Sequence, residues 1–259
     1  MKYISLFATL ILLVSCGIED YPYIYSIPTG NIRNDLNSRI RVYIPNDNST
    51  NAYFTNYVIF YRIYISDVDI LSPSEYDYPS INSSLNNDHS RIRPYIGNDS
   101  MGSSSIDSLF RNLKYYPLLL DEGIDLNNIL SAGNSVFGKY LVIDFTRDSE
   151  NETIPYLSLA TLANLETSTR YSLQRSDGVA GNYEPRPGNR YFLNTQDLLS
   201  QENIDDPTIN GDVTDKPNAA KRKTYVSMYI IASGIDSQTF VQLYSSPAHI
   251  GVLQLPDPN

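Results

Sequence analysis

The 259-residue chain reads as mainly β, an antiparallel β-sandwich with a long insertion carrying one or two short helices. Three observations predict this class. Apolar and polar residues alternate with a period of two in several separate runs. Tyrosine is abundant at 22 and tryptophan absent, a balance suited to half-buried strand faces where a ring packs inward and its hydroxyl reaches water. The intervals between the runs are rich in Gly, Pro, Asp and Asn, the residues that make turns.

The first stretch, Met1 to Gly17, belongs to a different kind of element. Lys2 supplies a positive charge, Ile4 to Val14 form an apolar run of about eleven residues, and Leu13-Val14-Ser15-Cys16 closes it. Such a run has the length of a secretory h-region and is too short to span roughly 30 Å of hydrocarbon as a helix. Leu13-Val14-Ser15-Cys16 resembles the lipobox of bacterial lipoproteins. The resemblance implies that residues 1–15 are a signal peptide cut between Ser15 and Cys16, and that Cys16 becomes the acylated, palmitate-bearing N-terminus. Membrane lipid is then a partner held through Cys16. The protein is expected to be exported and lipid-anchored to the cell envelope, at the outer membrane, facing either the periplasm or the surface. The Tyr-, Ile-, Ser- and Asn-rich body is similar in style to spirochaete surface lipoproteins.

Removal of the leader leaves about 244 residues and a formal charge of about −11, enough chain for a sizeable core. That acidic balance argues against nucleic acid and against an electrostatic grip on anionic lipid. Since Cys16 is the single cysteine, a body without it has no disulfide, no thiol nucleophile and no thiolate metal site. Residues 16–37, with Pro22, Pro28, Gly30 and scattered tyrosines, are expected to be the lipidated terminus and a spacer, with docking on the sandwich as the alternative. Residues 38–259 then form a single β-rich domain with an insertion at about 66–138.

Within that domain, Ser38 to Ile44 alternates Ile40, Val42 and Ile44 with Arg39, Arg41 and Tyr43, and a polar turn follows from Pro45. Tyr57 to Ile65 is the strongest strand, apolar or aromatic on both faces, and should be central and covered on both sides. Short helical turns are expected near Ser72-Pro73 and around Ile81 and Leu85. A firmer helix is expected over 104–115, where Ile106, Leu109, Phe110 and Leu113 make one stripe. Lys139 to Thr146 returns to strand, and Pro155–Leu159, Thr169–Leu173 and Arg190–Leu193 are shorter strand candidates. Residues 174–189 and 201–223 read as loops. Tyr225 to Ser233 alternates again, Gly234-Ile235-Asp236-Ser237 turns the chain, and Thr239–Tyr244 with Ile250–Leu255 return, interrupted by Pro247. This terminal hairpin resembles the last two strands of a fibronectin type III or immunoglobulin-like sandwich.

Few constellations point to chemistry. Gly133-Asn134-Ser135-Val136-Phe137-Gly138 has one residue too many for a G-x-S-x-G elbow and precedes a strand, so a loop is the better reading. His89 and His249 are the two imidazoles, and both read as ordinary solvated histidines. A Ser-His-Asp site assembled only in space stays open. No zinc spacing occurs. Asp206 to Asp212 resembles the first half of a calcium loop, but Pro217 stands where a bidentate acid is needed. Asp121, Glu122 and Asp125 read as a helix N-terminal or turn cluster. No phosphate loop occurs, and Lys221-Arg222-Lys223 is too short for a nucleic-acid patch. Sequons begin at Asn48, Asn82, Asn98 and Asn151. The expectation is therefore a non-enzymatic binding or structural module without cofactor, metal or catalytic residues. Its contacts with an envelope or extracellular protein would fall in 66–100 and 201–223. A lipid-anchored hydrolase is the alternative, and an architectural protein joined through Tyr-rich sheet edges is a third.

Overall fold

The structure, a computed structural model, describes residues 22–36, 38–66, 83–92, 101–102, 109–121, 124–146, 155–165, 168–176, 191–192, 213–214 and 223–255. The strands are β1 (Ile32–Leu36), β2 (Arg39–Tyr43), β3 (Phe54–Ser66), β4 (Met101–Gly102), β5 (Tyr116–Pro117) and β6 (Leu119–Leu120). They continue with β7 (Tyr140–Asp144), β8 (Tyr156–Ala160), β9 (Arg170–Gln174), β10 (Val213–Thr214), β11 (Lys223–Ile235), β12 (Gln242–Tyr244) and β13 (Ala248–Gln254). One sheet runs β1-β2-β7-β8-β9-β6. The other runs β10-β3-β11-β12-β4, with β13 also on β11 and β5 also on β3. The fold is the mainly β, two-sheet sandwich that the alternation predicts.

The alternation explains the packing. From β3 come Tyr57, Ile59, Tyr61 and Ile63, and from β11 Val226, Met228, Ile230 and Ala232. They meet Ile40 and Val42 of β2, Leu141 and Ile143 of β7 and Leu157 of β8 in one buried core between the sheets. β3 and β11 are each thirteen residues long and pair antiparallel along nearly their whole length. Their other faces are covered too. Phe60, Tyr229 and Ile231 pack with Ile92, Phe110, Leu113 and Tyr115, while Tyr64 and Tyr225 pack with Leu85. A central strand buried on both sides, as predicted for Tyr57–Ile65, follows from that third, partly helical layer.

The stretch expected as an insertion, about 66–138, supplies β4, β5 and β6, each paired with a strand of a sheet. Elsewhere several expectations are corrected. The loop at 201–223 contributes β10, which pairs parallel to β3 through Val213 with Ile63 and Thr214 with Tyr64. Gly234 and Ile235 belong to β11, and the turn lies at 237–239. Of the helix expected over 104–115, residues 104–108 lie outside the described residues, 109–112 are helical and 113–115 are not. Lys114 at φ 59° closes that helix, with Tyr115 N–H donating to the Phe110 carbonyl, before β5 begins. Of the strand expected over Arg190–Leu193, Tyr191 bridges Gln174, while Arg190 and Leu193 lie outside the described residues. The expected turn at Ser72-Pro73 lies outside the described residues, while the one near Leu85 is a helix over Ser83–Ile92.

The segment after Pro22 docks, as the alternative reading had it, and is not a free spacer. Ile24, Ile27 and Ile32 are buried in the main core, and β1 pairs with β2. Asn48 holds the segment like a surrogate strand: its side chain accepts from the Tyr25 N–H at 2.9 Å and donates to the Tyr25 carbonyl at 2.8 Å. Asn51 donates to the Tyr23 carbonyl at 2.6 Å. A Cβ on Gly234 would stand 2.0 Å from the Tyr53 carbonyl oxygen and 2.5 Å from Ile24 Cδ1, so only glycine lets the end of β11 lie under this dock.

Candidate functional site

The residues given a role by the sequence, Ser15 and Cys16, lie outside the described residues, as do Glu122, Asp206–Asp212 and the sequons at Asn82, Asn98 and Asn151. His89 is placed by its backbone in the Ser83–Ile92 helix. Asn48 is buried and engaged, so its sequon is closed to modification in the folded body. Asp125 caps the short helix Leu126–Ile129 by accepting from the Asn127 N–H, as the helix N-terminal reading of this cluster expects. Ser135 ends a 3-10 turn at φ 51° and the chain runs on into β7, so this segment is a loop.

His249 is where the structure departs most from expectation. It is not solvated but only 6 % exposed, with Nε2 at 3.3 Å from Ser227 Oγ and its ring 4.8 Å from that of Tyr229. The cause is a bulge. Tyr229 faces His249 and Met228 faces Gly251, leaving Ile250 as the extra residue of β13. Gly251 sits at φ 135°, and a Cβ there would come within 2.8 Å of Ile40 Cδ1. The bulge keeps Ile250 and Leu253 in the core while turning His249 to the outer face, under the helical layer.

Along that outer face runs a buried polar chain. The Arg62 guanidinium and the Tyr64 hydroxyl both donate to Asp88 Oδ2. The Tyr64 and Tyr115 hydroxyls are 3.2 Å apart, and Tyr115 donates to Ser227 Oγ at 3.1 Å. Asp88 reaches it because Leu85, Asp88 and Ile92 lie on the buried face of their helix. Burial lifts the Asp88 carboxyl above the ordinary carboxylate range, only partly offset by Arg62 and the Tyr64 hydrogen bond. Burial likewise pushes the phenols of Tyr64 and Tyr115 well above their usual range. The chain joins Asp88 of the helix, Tyr115 ahead of β5 and three strands of one sheet by directional bonds. Neither Asp88 nor Arg62 stood out in the sequence. A charged residue on a strand expected to be covered on both faces was the available signal, since it demands a buried counter-charge.

Chemically, the Ser227–His249 contact has the composition of a nucleophile–base pair. Its surroundings are those of a clamp: Ser227 is fully buried, its Oγ is engaged by Tyr115, and Asp88 is held by Arg62 and Tyr64. A second polar cluster lies on the other sheet, where Asp144 Oδ2 accepts from Arg39 Nε at 2.6 Å and from the Tyr156 hydroxyl at 3.1 Å.

The remaining feature is one end of the sandwich. Residues 44–53 carry the chain from β2 in one sheet to β3 in the other, so Tyr43 and Phe54 mark the same end. Tyr43 pairs with Tyr140, which pairs with Ala160, and Phe54 pairs with Gly234. The turns after Ala160 and Ile235 therefore belong to this end as well. A polar cleft of about 310 Å³ opens here, lined by Asn134, Lys139, Asn164, Ser168 and Thr169 among others. Among the described residues no cluster of His, Cys, Asp and Glu is placed to hold a metal ion, and no helix is long and apolar enough to cross a membrane. No protein-family model, curated protein or solved structure matches the chain.

Proposed function

We propose that this is an envelope lipoprotein whose β-sandwich acts as a binding or structural module at the cell surface or in the periplasm, tied to the membrane by acyl chains on Cys16. The observation that carries the reading is Leu13-Val14-Ser15-Cys16 behind an apolar run, in a chain with no other cysteine. A body free of thiols suits an oxidising compartment, because it cannot be trapped in wrong disulfides. Each buried methylene of an acyl chain contributes about 0.8 kcal/mol, so two or more chains anchor an acidic body that anionic lipid would not attract.

The Cys16→Ser protein should take up no labelled fatty acid and should leave the detergent phase for the aqueous phase on phase separation. Unchanged labelling and partitioning would reject the lipobox reading. Protease treatment of intact cells then separates surface display from periplasmic residence.

The hydrolase reading is kept for one observation, the 3.3 Å contact between Ser227 and His249. Burial of Ser227 weighs against it, because a nucleophile has to reach a substrate carbonyl. A fluorophosphonate probe should leave the folded protein unlabelled. Labelling that is lost in Ser227→Ala would make the hydrolase the better account.

A further inference from the structure

We infer that the loop end of the sandwich rests on the bilayer, with Phe240 and Val241 inserted at the boundary between headgroups and acyl chains; the inference builds on the lipobox reading of Cys16. Among the described residues the exposed large hydrophobic side chains are Tyr25, Leu162, Ile235, Phe240 and Val241. All five fall at the end defined above. Leu162 lies in the turn after Ala160, and Ile235, Phe240 and Val241 lie at and beyond the tip of β11. Tyr25 is held there by Asn48 of the 44–53 connection. Exposed apolar tips gathered in the loops of one end orient a body at a water–lipid boundary.

The tether points the same way. The docked segment enters the fold at this end, with Ile24 against Gly234 and Tyr23 and Tyr25 on the 44–53 connection. Six residues lead from Cys16 to Pro22, a reach of at most about 20 Å at the extended spacing of the chain. Acyl chains on Cys16 thus keep this end, and no other, close to the headgroups.

The Phe240 loop is built to hold its shape. Asp236 N–H donates to the Val241 carbonyl at 3.0 Å and Phe240 N–H donates to the Asp236 carbonyl at 2.8 Å. The Asp236 side chain accepts from the Gln238 N–H at 2.9 Å and from the Thr239 hydroxyl. Phe240, 83 % exposed, is fixed at φ 59°, a left-handed conformation that bulky residues seldom adopt. Rigid presentation of an aromatic ring to solvent carries an ordering cost in advance, which favours insertion once lipid is adjacent. At a formal charge of about −11 the body gains no attraction from anionic lipid, so neutral lipid is the fitting partner.

The test uses full-length acylated protein in neutral phosphatidylcholine vesicles. Because Cys16 is the single native cysteine and is blocked by acylation, Phe240→Cys and Ser90→Cys each offer one thiol for an environment-sensitive fluorophore. Ser90 is exposed on the outer helix, away from the loop end. The label at 240 should shift to the blue and be quenched by nitroxide-bearing lipid, while the label at 90 does neither. Water-like, unquenched emission at 240 from protein that floats with the vesicles would overturn the inference. So would a shift at 240 that ignores lipid quencher and grows with protein concentration, which would place a second copy on the loop. If the protein neither floats nor incorporates fatty acid, the lipobox reading itself fails and takes this inference with it.

Discussion

Asp88→Ala should destabilise the fold by about 3–5 kcal/mol, because it leaves the Arg62 guanidinium buried without its carboxylate. Arg62 is 9 % exposed and Asp88 2 %, so water cannot take over the lost partner. The same change removes the acceptor of the Tyr64 hydroxyl, at the head of the chain that runs to Ser227. For a body of this length, that corresponds to a fall in melting temperature of roughly 6–20 °C in thermal unfolding. The pair is not thereby a large net source of stability. Desolvating two charges offsets most of their attraction, and Arg62→Met combined with Asp88→Leu should restore most of the loss. An Asp88→Ala protein within about 1 kcal/mol of wild type would mean that the helix Ser83–Ile92 does not seal the sheet.

Alkali should unfold the protein cooperatively, with phenol ionisation and loss of the fold in one step. Burial raises the Tyr57 phenol from 10.0 to about 12, only partly relieved by the Asn48 amide. Tyr64 and Tyr115 move in the same direction for the same reason. A phenol whose folded pKa lies above its unfolded one holds its proton more tightly in the native state. Its contribution is fully present below pH 10 and is lost as pH rises through 12. Two units correspond to about 3 kcal/mol for Tyr57, to which the other two phenols add. With 22 tyrosines and no tryptophan, ultraviolet titration reads this without interference. Part of the phenolate absorbance should rise only where circular dichroism reports loss of strand, and Tyr57→Phe should move that step to higher pH. A smooth titration of all phenols with the sheet signal intact would contradict it.

The two predictions draw on side chains of different legibility. Tyr57 was readable, because the alternation around it marks both its strand and its inward face, and period-two patterns are local information. The Ile40, Val42, Ile44 series is readable for the same reason, and Leu85 from its helical spacing with Ile81. Asp88 was not. Its value depends on Arg62, twenty-six positions earlier, and on the helix turning that face inward. His249 was misread because one bulge residue, Ile250, changes which face every neighbour meets, and nothing short of the pairing register reveals it. β10 was hidden by its length, since two residues carry no period. The dock of Tyr25 is only an alternative in the sequence. Its bonds come from asparagine side chains imitating a backbone, in a stretch whose prolines signal irregularity.

That dock has a mechanical consequence. Tension applied from the N-terminal side is borne first by the Asn51 amide at Tyr23, then by the seat of Ile24 and then by the Asn48 amide at Tyr25. The ladder between β1 and β2 is loaded only after those contacts have parted, so the leading segment acts as a fuse that gives way before the sheets are sheared.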